Sequence, residues 1–159
     1  MKQRILFIDR DGTILREPED EQIDSYDKFE FLPGVITALS FLARHTDYKL
    51  VLVSNQDGLG TASYPEADFW PTHNLMLDIL SGEGIVFYAQ HIDRSFPHEN
   101  LPTRKPGTAM LTSYMNNPEV DMEHSYVIGD RQTDAQLAEN LGCRSLIIGE
   151  GMDWKRISE

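Results

Sequence analysis

Residues 5–14 read ILFIDRDGTI. Ile5, Leu6, Phe7 and Ile8 run without interruption into Asp9 and Asp11, with Arg10 between them and Gly12-Thr13 behind. An unbroken apolar run is the pattern of a strand covered on both faces, whereas alternation would mark a strand with one wet face. The end of this strand is the unusual part. Two carboxylates at one strand tip repel, and each is costly to desolvate without a partner. Some other part of the chain must supply the compensating charge.

Beyond this stretch, apolar runs alternate with amphipathic ones. LPGVITALSFLARH (32–45) reads as a helix with Pro33 in its first turn, and KLVLV (49–53) as a second strand followed by a polar loop to about Trp70. Leu75, Met76, Ile79 and Leu80 recur at helical spacing within HNLMLDILSGEG (73–84), with Gly82 and Gly84 near its end. IVFYAQ (85–90) reads as the third strand, PGTAMLTSYMNN (106–117) as a helix and SYVIG (125–129) as the fourth strand. TDAQLAENLG (133–142) is a helix with a Thr133–Gln136 capping-box pattern, and RSLIIG (144–149) is the fifth strand. This alternation predicts an α/β fold: a three-layer parallel sheet with helices on both faces.

Composition bounds the function. A chain of 159 residues with 40% apolar content suits a single globular domain, residues 1–159. No apolar run approaches the roughly 20 residues of a membrane span, and MKQRILFIDRDG reaches an aspartate too soon for a secretory leader. The single cysteine, Cys143, fits a reducing cytoplasm and reads as a packing residue. A net charge of −12 argues against nucleic-acid and membrane partners. It leaves room for an anionic substrate where a metal reverses the local field.

In an open parallel sheet, ligands bind beyond the carboxyl ends of the strands. Those ends carry Asp9 and Asp11 after the first strand, Ser54, Asn55, Gln56 and Asp57 after the second, and Asp130 and Asp134 after the fourth. Arg104 and Lys105 stand just before Pro106 and the helix that follows. Any one of these acids alone reads as a turn former or helix cap. Together they describe an all-oxygen cluster that suits Mg2+, with a hydroxyl and a lysine beside it.

DRDGT, a strand ending in Ser54, Lys105 before a helix and GDRQTD, in this order, resemble the four motifs of the haloacid dehalogenase superfamily of phosphatases. The spacings leave no room for a large cap domain. QDGLGTASYPEADFWPTHNLM (56–76), Glu17-Pro18, RKP and SYVIGDR bring the likeness, from about Lys2 to Gly142, to the histidinol-phosphate phosphatase branch of histidine biosynthesis. That domain is fused in some organisms to an imidazoleglycerol-phosphate dehydratase. Nothing of the dehydratase is present here, so the expected partner is a fused or associated dehydratase, or none for a free-standing phosphatase. One departure concerns the zinc loop of close relatives, C-x-H followed by C-x-C. This chain has HIDRSFPHENLPT (91–103), with Leu101 and Thr103 where the last two cysteines would fall. His91, Asp93 and His98 stand nearby, and a metal-free loop is the expectation.

The resemblance assigns roles by position. Asp9 is the nucleophile and forms an aspartyl phosphate; Asp11 is the general acid and then the base. Mg2+ is held by Asp9, the backbone carbonyl of Asp11 and Asp130, with Asp134 in support. Ser54, Asn55 and Lys105 hold the transferring phosphoryl group, and Arg104 contacts phosphate or its own loop. Glu17 meets the cationic part of a small phosphorylated amino alcohol, L-histidinol phosphate, with Glu19, Asp20 and Asp57 making an acidic rim. Phe69, Trp70 and His73 read as core aromatics, with covering the site as the alternative. Three rival readings remain: a capless phosphatase of D-glycero-D-manno-heptose 1,7-bisphosphate, which the acidic rim disfavours; an aspartate-phosphorylated signalling receiver, whose acceptor follows the third strand rather than the first; and an inactive metal-binding scaffold.

Overall fold

The computed structural model describes residues 2–149 and 151–157. Five strands form one parallel sheet: β1 (Ile5–Ile8), β2 (Lys49–Asn55), β3 (Ala89–Asp93), β4 (Tyr126–Gly129) and β5 (Arg144–Ile147), in the order β3-β2-β1-β4-β5. The helices are α1 (Val35–His45), α2 (Glu66–Gly82), a short α3 (Thr112–Met115), α4 (Gln132–Leu141) and α5 (Trp154–Ile157). Because β1 is central, successive crossovers leave it in opposite directions. The crevice between those crossovers opens above the carboxyl end of β1, where Asp9 sits.

The sheet divides the core into two layers. Leu6, Ile8, Leu50, Leu52 and Ile128 face a cluster with Leu39 and Leu42 of α1, Met76 and Leu80 of α2, and Trp154. Ile5, Phe7, Val51, Val53 and Val127 face the other, closed by Leu111 and by Leu137, Ala138 and Leu141 of α4. The two-residue alternation of strand side chains thus feeds both layers, and the three-layer α/β arrangement follows. Trp154 Nε1 donates to the Thr13 carbonyl at 2.7 Å, tying α5 beneath the loop that carries the two aspartates. Among the described residues, no helix is long and apolar enough to cross a membrane.

Several boundaries differ from those expected. Gly34 adopts a left-handed conformation at φ 80°, so α1 begins at Val35 and Pro33 lies outside it. Helix α2 starts at Glu66 and contains Pro71, past its first turn, where the helix forgoes the N–H bond that residue 71 would otherwise give to the Ala67 carbonyl. The third strand is Ala89–Asp93 rather than 85–90. Its register on β2, Val51↔Ala89 to Asn55↔Asp93, outweighs the apolar run before it, where Val86 and Tyr88 are exposed. The helix expected over 106–117 is a 3-10 turn (Ala109–Leu111) followed by α3. Helix α4 begins one residue early and is capped not by Thr133 but by Asp134, whose Oδ2 accepts from the N–H groups of Asp130 and Arg131 at 3.2 Å each.

His73, on α2, is fully buried and links α2 to both β1 and β3. Arginine only donates, so His73 Nδ1 accepts from Arg10 Nη1 at 3.1 Å and its Nε2–H donates to Gln90 Oε1 at 2.7 Å. The ring is therefore neutral, and burial, with the Arg10 charge, holds its pKa at about 4 against an ordinary 6.5. The unfolded chain binds this proton first as pH falls. The group's contribution to stability is thus complete above pH 6.5 and is lost as pH drops towards 4, by up to about 3 kcal/mol. Urea denaturation across that window should show His73→Gln with a flatter pH dependence than the parent protein; parallel curves would contradict the assignment.

Candidate active site

The residue after β1 is Asp9, whose N–H donates to the Ile128 carbonyl of β4 at 2.9 Å. The chain then turns sharply: Thr13, Ile14 and Leu15 all direct N–H groups at the Arg10 carbonyl. Gly12, at φ 82°, makes that turn possible, and a Cβ there would meet Asp130 Oδ2 at 2.1 Å. The glycine of the DRDGT stretch is therefore what lets Asp130 of β4 approach the loop of β1. Gly129 has the same function for Asp134, whose Oδ2 lies 2.2 Å from the position a Cβ would take.

One carboxylate oxygen from each of Asp9, Asp130 and Asp134 falls within 4.8 Å of the others. Lys105 enters from a different segment and is almost wholly buried. Its ammonium donates to Asp9 Oδ1 and Asp134 Oδ1, both at 2.9 Å, and to the Val53 carbonyl at 3.1 Å. Burial works against its charge, but the two aspartates outweigh that and raise its pKa. Burial and the nearby Asp9 carboxylate push Asp130 up to about 8, and the same causes raise Asp134. Asp130 Oδ1 is buried with no hydrogen-bond partner. Three clustered carboxylates face one ammonium, one of them with an orphaned oxygen, so the donor set fits a hard divalent cation.

Asp11 points elsewhere. Its Oδ1 takes Arg10 Nε at 2.6 Å and its Oδ2 takes Gln56 Nε2 at 3.1 Å; Gln56 also donates to Ser54 Oγ at 2.7 Å. The side chain of Asp11 is thus not part of the three-carboxylate cluster, in keeping with the expectation that it meets a metal through its backbone carbonyl. Thr13 Oγ1 lies 3.4 Å from Asp9 Oδ2. Asn55 spends its amide on the backbone of Lys105: Oδ1 accepts from Lys105 N at 3.1 Å and Nδ2 donates to Lys105 O at 3.4 Å. Arg104 is engaged by Asp57 and by the Ser95 carbonyl. Phe69 and His73 are core residues stacked on each other, and Trp70 meets them edge-on, so none covers the site.

A cavity of about 220 Å³ lies over the acids, lined by Asp9, Asp11, Asn55, Lys105 and Asp134 together with Glu17, Arg104 and Arg131. It adjoins a smaller recess whose walls include Asp20, Glu21, Asp57 and Tyr64. A larger, apolar groove of about 380 Å³ between α1 and α5 is remote from these groups. Glu17 ion-pairs with Arg131, the residue after Asp130. Arg131 and Gln56 were not among the site residues inferred from sequence. A cation directly after a strand-end acid is a faint signal, and it acquires a partner only when residue 17 is folded over it. The 91–103 segment is knit without the three groups noted above converging. Asp93 caps its own loop through Ser95 and Thr103, both at 2.5 Å, His91 bonds the Tyr114 hydroxyl at 2.8 Å, and His98 stacks on Phe96.

Comparison with known proteins extends this geometry. Residues 102–156 match a family model described as HAD-hydrolase-like. The histidine biosynthesis bifunctional protein HisB of Bacteroides fragilis is 55% identical over 154 residues, covering 96% of this chain and 41% of that protein. Its counterpart in Spirosoma linguale is 53% identical over 147 residues, covering 92% and 38%. The chain therefore spans about two fifths of the length of the curated relatives it matches. Among solved structures, the D,D-heptose 1,7-bisphosphate phosphatase of B. bronchiseptica, complexed with magnesium and phosphate, superposes with a TM-score of 0.78 at 29% identity, covering 92% of this chain and 80% of that one. Sequence likeness along nearly the whole chain, backbone likeness to a phosphatase and acids gathered at the ends of β1 and β4 lead to one conclusion: the chain has the haloacid dehalogenase-like hydrolase fold, and its residues 102–156 match that family's model.

Proposed function

We propose that this chain is a Mg2+-dependent phosphatase that converts L-histidinol phosphate to L-histidinol and inorganic phosphate. The observation that carries the reading is the pose of Asp9: it sits at the tip of the central strand, pinned by Lys105, inside a cavity that also exposes a second carboxylate, Asp11. Asp9 attacks phosphorus and displaces the alkoxide, which takes its proton from Asp11. Asp11 then removes a proton from water, and the resulting hydroxide releases phosphate and regenerates Asp9. Arg10 and Gln56 fix the Asp11 carboxylate for both steps, and Lys105 neutralises charge on the phosphoryl oxygens. Asp9, Asp130 and the Asp11 backbone carbonyl would hold Mg2+, with Asp134 as support; when bound, the ion neutralises phosphoryl charge.

The substrate assignment is supported by relatives in histidine biosynthesis at 53–55% identity, against 29% for the heptose bisphosphate phosphatase. The cavity mouth, with Glu17, Asp20, Glu21 and Asp57, suits a cationic alcohol better than a second phosphate. The lengths of the relatives support a fused partner, which we take to be the dehydratase that the resemblance implies, with residues 1–159 acting as one phosphatase domain.

Three outcomes are expected. Phosphate release in Mg2+ should favour L-histidinol phosphate over heptose bisphosphate and aryl phosphate, and Asp9→Asn should lose several powers of ten in rate; preference for the bisphosphate would overturn the substrate assignment. Lys105→Met leaves Asp9 and Asp134 face to face in the interior, so it should abolish turnover and lower stability by about 3–5 kcal/mol in urea titrations. Saturating Mg2+ should raise the melting temperature of the parent protein and not that of Asp130→Asn; equal shifts in both would place the ion elsewhere.

A further inference from the structure

Two guanidinium groups stand at the mouth of the cavity, and acids already hold both. Arg104 is committed to Asp57 and the Ser95 carbonyl. Arg131 pairs with Glu17 and lies 3.6 Å from Glu21. The fold brings this second pair together at some cost. Glu21 is a non-glycine residue at φ 63°, a left-handed conformation that L side chains rarely adopt, and its N–H closes a turn onto the Pro18 carbonyl at 2.9 Å. That turn presents a second carboxylate to the same guanidinium. Glu17 is only 23% exposed at its side chain, so it needs a cationic partner, and Arg131 supplies it. The Arg131 backbone is fastened, because its N–H bonds to Asp134, while its side chain is 45% exposed, so water can replace the carboxylate it would give up.

We propose that Arg131 is a specificity-determining residue that stands in for the cation of the substrate. In the ligand-free protein it occupies the Glu17 carboxylate, and a ligand reaches Glu17 only by bringing a positive group that displaces the guanidinium. A cationic phosphate ester makes that exchange, whereas an aryl or sugar phosphate offers nothing to trade and meets a closed acidic subsite. The inference rests on the histidinol-phosphate reading for the identity of the incoming cation, an ammonium or imidazolium.

The test uses the Mg2+-loaded enzyme with an aryl phosphate as reporter substrate and L-histidinol or inorganic phosphate as inhibitor. Arg131→Ala should lower the inhibition constant of L-histidinol roughly three- to tenfold, the scale of a partly exposed ion pair. Arg131→Lys, which keeps a competing cation, should stay closer to the parent value. In a Glu17→Gln background the Arg131→Ala gain should vanish, and inorganic phosphate should not bind more tightly in any variant. An inhibition constant for L-histidinol that is unchanged or raised by Arg131→Ala overturns the proposal, as does a gain that survives in Glu17→Gln. An enzyme that cleaves the aryl ester but not L-histidinol phosphate would overturn the substrate assignment instead, and the inhibition constants would still decide the role of Arg131.

Discussion

The constraint on which the site depends is the burial of one ammonium among carboxylates. Lys105 donates to Asp9, to Asp134 and to the Val53 carbonyl, so a single side chain joins β1, β2 and the start of α4. Asn55 clamps its backbone from both sides and thereby fixes the position from which the side chain reaches in. Such a group cannot be removed without leaving buried like charges in contact. It also leaves the cluster short of positive charge, since Asp130 has a buried oxygen that no donor meets. The arrangement is thus stable enough to form and incomplete enough to attract a cation.

The same carboxylates that form the proposed site also hold the structure around it. Asp134 holds the first turn of α4 with one oxygen and Lys105 with the other, so the helix start and the site are a single construction. Glycines at 12 and 129 let two acids come closer than any Cβ would allow. Behind them, the hydrogen-bonded chain Gln90–His73–Arg10–Asp11, exposed at Gln90 and buried at the other three residues, links the third strand and the second helix to the carboxylate proposed for proton transfer. The mouth, by contrast, consists of half-exposed ion pairs, which rearrange at little cost. A rigid floor under an adaptable rim is what an enzyme needs to place a phosphoryl group firmly while selecting what it is attached to.

Much of the fold was legible because doubly covered strands read as plain apolar runs. The apolar runs RILFI and KLVLV lie within two residues of the observed limits of β1 and β2, and the two-layer core follows from them. The third strand was misplaced because its apolar neighbours at 85–88 look more strand-like than AQHID. An edge strand is positioned by its register on β2 rather than by its own composition. The start of α2 was hidden by Pro71, and the cap of α4 by the resemblance of Thr133–Gln136 to a capping box, although Asp134 reaches the backbone first.

For the site, the residue types and their placement at strand ends were set by the sequence alone: Asp9, Asp11, Ser54, Lys105, Asp130 and Asp134 could be listed without coordinates, because a parallel sheet brings its carboxyl ends to one edge. Which carboxylates share a cation, and which carboxylate is held apart, only the tertiary structure decided. Asp11 is turned away onto Arg10 and Gln56, Asn55 is spent on Lys105, and Arg131 covers Glu17 across 114 positions of sequence. Hydrogen bonds and ion pairs act over about 3 Å, and a sequence orders residues without stating those distances.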